Sequence, residues 1–392
     1  MTESPTPRVT LTQVAALAGV SRTTASFVTT GRDDMRISVD AQQRVLRAAR
    51  ELGYRPSLLA RSLHTNRSQT IGLLSDGMVS DPMIGETVRG GMTSALLHDH
   101  MLFVAEAPGS SAGEKRLVDN MLDRGVSGFL YVSTNIGKIR VSAGLRVHPL
   151  VLVNCTTRAR TVPTVIPDER EAGRAVARTL LRYGHTDRIV IVGASPPTVQ
   201  AAAERVFGIQ QVLAAHGLVT ADIIDTGWSP EPAHAAVGGY LAEHPRPSAL
   251  VCLNDRIAMG VYQACGAAGL VVPEDISVVS FDDSELASWL QPQLSSVAVP
   301  RFEMGRRAVE MLLSEPRPPE VHLVPMTLRE RASIGAPTRR RQAHRARAVA
   351  GGSRQPDQPA ASVARLPADP TGQGQPMVAV SSGVVTPLPR IE

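Results

Sequence analysis

The chain has 392 residues, a net charge of +5 and 43% hydrophobic residues, enough for two or three domains with cores of their own. That apolar content excludes wholesale disorder, and with no run of 18 apolar residues a membrane span is excluded too. The charge is segregated: residues 1–70 carry 10 Arg and 5 acidic residues, residues 338–392 carry 8 Arg and 3, and the middle holds 23 basic against 28 acidic. Basic ends flanking an acidic middle suggest that one end meets a polyanion while the middle has another task. Cys155, Cys252 and Cys265 form no metal spacing and read as buried thiols of a reducing cytoplasm. Met1 to Arg8 carries no hydrophobic targeting segment, so a cytoplasmic, nucleoid-associated protein is expected.

In chain order, the first apolar periodicity runs from Gln13 to Ala18, with Thr12 placed to cap it and Gly19 to stop it. A second helix is predicted over Arg22 to Thr29 behind the cap Ser21, and a third runs from Ser38 to Gly53. Two short helices joined by a turn containing Gly form a helix-turn-helix, and the third completes a small all-α head.

The segments Val9-Thr10-Leu11-Thr12-Gln13-Val14-Ala15, Ala18-Gly19-Val20-Ser21 and Leu52-Gly53-Tyr54-Arg55-Pro56 resemble the N-terminus of the LacI/GalR family of bacterial transcription regulators. The resemblance implies that the second helix enters the major groove, with Arg22 and Thr23 as base readers and Thr10, Ser21 and Ser26 on phosphates. Phe27 departs from the family pattern; it meets a thymine methyl or folds back onto the head. The loop Gly31 to Arg36 is two residues longer than the common pattern. Residues 56–64 form a short helix that needs a partner to be stable in water. The resemblance makes it a hinge helix, completing a head over residues 1–64, with Ala60 in its frame and Leu63 as the wedge inserted between central base pairs.

After a linker at 65–70, strand and helix patterns alternate. Strands are predicted at 71–74, 101–105, 128–132 and 150–153, with helices at 84–98 and 114–124. A second set follows, with strands at 188–192, 223–224, 249–252 and 277–281 and helices at 169–183, 201–216, 231–243 and 255–268. Such alternation means parallel sheets covered by helices. Two sets imply two lobes, and the resemblance adds a periplasmic-binding-protein-like effector domain over 71–337. Its N-lobe is expected near 71–165 and 299–325, its C-lobe near 166–297 and 327–337, with crossings near 164–167, 296–300 and 324–327.

Open parallel sheets bind ligands beyond the carboxyl ends of their strands. Those ends hold Asp76, Asn154, Asn254 and Asp282, short polar side chains suited to hydroxyls. The stretches Glu204-Arg205-Val206-Phe207-Gly208, Asn254 to Gly260 and Pro273 to Asp283 match the family's second lobe. By position the resemblance places Arg205, Asn254 and Asp282 on effector contacts, Asn154 opposite them, and Trp228 as a stacking aromatic. Asp255 is read as the cap of the following helix, and an Arg205–Asp282 ion pair is an alternative to ligand contact. No catalytic constellation, cofactor motif or metal spacing stands out, so a non-enzyme without cofactors is expected.

Residues 338–392, rich in Pro, Gly, Ser and Gln, read as a disordered basic tail. The expectation is a homodimeric repressor of a palindromic double-stranded operator, controlled by a small effector, a sugar, without membrane attachment. A nucleobase-responsive co-repressed regulator and a sugar-binding solute receptor are the alternatives.

Overall fold

The computed structural model describes residues 9–30, 36–54, 69–77, 84–107, 110–134, 136–193, 200–315 and 317–337. The expected hinge helix with Ala60 and Leu63, loop residues 31–35 and the tail 338–392 lie outside the described residues.

The head contains α1 (Leu11–Ala18), α2 (Arg22–Thr29) and α3 (Val39–Glu51). Thr10, not Thr12, caps α1: its hydroxyl accepts from the Gln13 backbone, and the Gln13 side chain accepts from the Thr10 backbone N–H at 2.8 Å. This reciprocal box satisfies two helix-end donors, and the register leaves Thr12 exposed inside the helix. Gly19 ends α1 at φ +65°, a backbone state costly for other residues. Val14, Ala15, Ala18, Ala25, Val45 and Ala48 close the core between the three helices.

The next elements are β1 (Thr70–Ser75), α4 (Ile84–Leu97), β2 (Met101–Glu106), α5 (Ser111–Asp123), β3 (Gly128–Val132), β4 (Lys138–Ile139), α6 (Ala143–Arg146), β5 (Leu150–Val153), β6 (Thr156–Thr157) and β7 (Thr164–Pro167). Then come α7 (Glu169–Tyr183), β8 (Ile189–Gly193), α8 (Gln200–Ala215), β9 (Asp222–Asp225), α9 (Pro230–Glu243), β10 (Ala249–Cys252), α10 (Asp255–Ala267), β11 (Ser277–Asp282), α11 (Glu285–Trp289) and β12 (Ser295–Ala298). The last are α12 (Arg301–Leu313), β13 (Val321–Val324) and β14 (Thr327–Arg329).

They build two six-stranded sheets, β13-β7-β5-β3-β1-β2 and β14-β12-β11-β10-β8-β9, parallel except where β14 runs against β12, and a small parallel pair β4-β6. Strands β5, β8 and β10 are buried along their whole length, which is why they read as unbroken apolar runs. The chain passes from the first sheet to the second after β7, returns between β12 and α12, and crosses again between β13 and β14. The segments around these crossings are strands of both sheets, and α12 is a thirteen-residue helix packed on α4 that the sequence reading did not include.

Glycine pairs set how closely the outer helices approach. In the first lobe a Cβ on Gly90 would strike the Phe302 carbonyl, and one on Gly305 the Thr87 carbonyl, so α4 and α12 cross backbone to backbone. In the second lobe Gly173 and Gly208 do the same for α7 and α8, meeting the carbonyls of Arg205 and Arg170. These crossings fix the helix ends that carry Arg301 and Glu169. Gly305→Ala is expected to push α12 from α4 and cost about 1–3 kcal/mol of stability in denaturant unfolding; an unchanged midpoint would show that the crossing has slack.

Candidate functional site

In the head, α2 begins behind Ser21, whose hydroxyl accepts from the Thr24 backbone at 3.0 Å. Arg22 and Thr23 are exposed in its first turn, while Ser26 and Phe27 are half-buried one turn later. The predicted DNA-facing residues of α2 therefore share one short helix, and Thr10 stands at the start of α1. Arg44 of α3 donates to the Ala18 carbonyl at 3.0 Å and locks the end of α1 in place.

Between the lobes lies a cleft of about 1160 Å³. Asn154 lines it from the first lobe; Arg205, Trp228, Asn254 and Asp282 line it from the second. The structure thus brings five of the six sequence-predicted residues together. Asp76 is the exception and does not line the cleft. Its carboxylate accepts from the Ser133 hydroxyl at 2.6 Å and the Thr134 N–H at 2.8 Å, tying the end of β1 to the end of β3. Each carboxylate oxygen takes one bond in this tie, which holds the strand ends beside Ser133, a residue of the cleft.

Asn154 takes the left-handed conformation at φ +59° and donates to the Ser133 carbonyl at 2.9 Å. Asn254, not Asp255, caps α10: its side-chain oxygen accepts from the Ile257 N–H at 2.7 Å. Asp255 stands one residue inside the helix, buried. It accepts from the Ser296 hydroxyl at 2.7 Å and from the Ser284 N–H and hydroxyl at 2.7 and 2.8 Å. It thus staples the loop after β11 to β12.

That loop carries Asp282 at φ +109° and Asp283 at φ +48°, a conformation rarely adopted outside Gly and held only where the surroundings enforce it. Besides the Asp255 staple, the Asp283 carboxylate pairs with Arg331 at 2.6 Å and Arg329 at 2.8 Å, and its N–H donates to Ser296 at 3.0 Å. Asp283 is therefore held by two arginines, and it lines the cleft together with Asp282.

Arg205 has Glu169, not Asp282, as its chief partner. Its guanidinium makes two bonds to the Glu169 carboxylate, at 2.5 and 2.8 Å, and donates to the Leu253 carbonyl, whereas Asp282 lies at 3.9 Å. Burial alone would lower the Arg205 pKa; the Glu169 charge and hydrogen bonds outweigh it and hold the side chain protonated. Sequence reading missed Glu169 because an acid in the first turn of a helix ordinarily serves the helix dipole in water. It missed Trp289 as well. This residue is 69% exposed, lines the cleft from α11, and with Trp228 accounts for every tryptophan of the chain.

The model of bacterial regulatory proteins of the lacI family matches residues 10–57, and that of the periplasmic binding protein-like domain matches residues 177–334. The transcriptional repressor PurR of Aliivibrio fischeri is 30% identical over 311 residues, covering 78% of this chain and 90% of that protein. The chain belongs to the lacI family. As a lacI-family protein it is a DNA-binding transcription regulator with an effector domain, not an enzyme. The ribose operon repressor of Haemophilus influenzae is 29% identical over 315 residues, 79% of this chain and 92% of that one. Among solved structures, the lac repressor dimer bound to operator and an anti-inducer superposes with a TM-score of 0.69 at 25% identity, covering 84% of this chain and 100% of the other. The CelR–cellobiose complex gives 0.56 at 26% identity over 83% and 100%. Among the described residues no helix is long and apolar enough to cross a membrane, and no cluster of His, Cys, Asp and Glu could hold a metal.

Burial, followed by the nearby Asp282 charge, raises the Asp255 pKa from 3.8 to about 6. In that window the folded chain keeps a proton that the unfolded chain has lost, so this group's contribution falls as pH rises from about 3.8 to about 6. Thermal midpoints of wild type minus Asp255→Asn should decline across that range and be flat above it. A constant difference would mean that Asp255 does not titrate there.

Proposed function

We propose that this lacI-family regulator is a homodimeric repressor whose affinity for a palindromic operator is set by a sugar held between its lobes, acting on the nucleoid in the cytoplasm. The observation that carries the reading is the convergence of Asn154 from one lobe with Arg205, Trp228, Asn254 and Asp282 from the other on one cleft. Short amides and a carboxylate suit hydroxyl groups, and an indole face suits the apolar face of a sugar ring. In the head, Arg22 and Thr23 read base edges, Thr10, Ser21 and Ser26 hold phosphates, and Phe27 meets a thymine methyl. Ala60 and Leu63 contact the minor groove, Leu63 as a wedge between base pairs. A two-fold dimer demands a two-fold operator, and the dimeric, operator-bound lac repressor supports that arrangement.

A nucleobase co-repressor is the second reading, favoured by the PurR relative and by the suitability of Trp228 for stacking a flat base. Both tryptophans line the cleft, so intrinsic fluorescence reports ligand entry directly. Titration with ribose, cellobiose, guanine and hypoxanthine should give a saturable change with one sugar, lost in Asp282→Ala. At a hundredfold excess over Kd that sugar should add about 2.7 kcal/mol of stability. Saturation by a purine alone would replace the sugar with a co-repressor, and no response to any of the four would contradict both readings.

A further inference from the structure

Arg301 and Asp282 belong to different lobes. Arg301 opens α12, which packs on α4, β3, β5 and β7 of the first lobe, whereas Asp282 ends β11 in the second. Beside the β12–α12 crossing, three residues after Ala298, which pairs with Asp282 in the sheet, the guanidinium lies 3.5 Å from the Asp282 carboxylate, and its other terminal nitrogen donates to the Asp282 carbonyl at 3.4 Å. The two side chains are 19% and 25% exposed, so the pair is shielded enough to resist screening by salt.

Two features make this contact more than a chance approach of surface charges. Arg301 is the first residue of α12, where a cation opposes the positive end of the helix dipole, and α12 has no side-chain cap. A carboxylate from the other lobe offsets the first of these by pairing with the Arg301 side chain. Asp282, in turn, is held in a left-handed conformation by a turn stapled through Asp255, Ser296 and Asp283, so it does not yield to meet its partner. A rigid anion on one lobe and a cation at a rigid helix end on the other thus bridge the two lobes beside the β12–α12 crossing.

We propose that Arg301 is an interlobe clasp at the hinge: its pairing with Asp282 restrains the rotation of one lobe on the other at the β12–α12 crossing and sets how readily the lobes part. The consequence for ligand choice rests on the cleft being the effector site. A ligand that donates hydrogen bonds to Asp282 competes with Arg301 for one carboxylate, so binding and lobe opening are coupled at that atom.

The test needs no ligand, so it stands apart from the outcome of any sugar or purine titration. Full-length wild type, Arg301→Met, Asp282→Asn and the double variant are compared by thermal unfolding and small-angle X-ray scattering. Arg301→Met is expected to lower the midpoint by about 2–4 °C in the wild-type background and to have no further effect beside Asp282→Asn. It should also enlarge the radius of gyration, with Arg301→Lys, which keeps the charge, falling between. Equal shifts in both backgrounds, or a radius of gyration unchanged by Arg301→Met, would overturn the clasp.

Discussion

A guanidinium leaves water only where a carboxylate meets it, and that constraint organises the floor of the cleft. Arg205 and Glu169 are both buried, joined by two hydrogen bonds, and a third Arg205 donor goes to a backbone carbonyl. Removing either partner would strand a charge at a cost of about 3–5 kcal/mol. The pair can form because α7 and α8 cross at Gly173 and Gly208, where no Cβ intervenes. Two glycines thus allow a helix contact, the contact allows a buried ion pair, and the pair supplies a rigid polar surface where the chain first enters the second lobe.

The same logic extends to the loop after β11. Its backbone is held in an unfavourable conformation by Asp255, Ser284, Ser296, Arg329 and Arg331, which lie on or beside the elements next to the lobe crossings. Asp283 and Asp255 are engaged in that work, and Asp282 lines the cleft beside them. A ligand acting on Asp282 would therefore press on a turn wired to the segments that connect the lobes. That arrangement gives a physical route from the cleft to lobe geometry, and lobe geometry is what a two-state regulator can bias.

The head and the alternating core were largely legible in the sequence because their signals are local. Ser21, Ser38 and Gly19 mark helix ends, and the buried strands read as apolar runs. Helix α12 carries a helical spacing of Met304, Ala308, Met311 and Leu312, but it was not among the predicted elements. The site divided along the same line. Asn154, Asn254 and Asp282 sit at strand ends and were readable by position. Asp76 shares that position but turns to Ser133 and Thr134, a contact 57 residues away in sequence. The Glu169–Arg205 pair spans 36 residues and depends on a helix crossing that no local pattern encodes.

The central claim is that a ligand between the lobes changes how the head binds DNA. The most direct measurement is the affinity of the full chain for a duplex selected by it from a random pool, with and without the sugar or purine that saturates its tryptophan fluorescence. The account predicts a change of roughly 5–150-fold in wild type, and in Asp282→Ala the same affinity whether or not the ligand is added. Saturated fluorescence with unchanged DNA affinity in the wild type would contradict it.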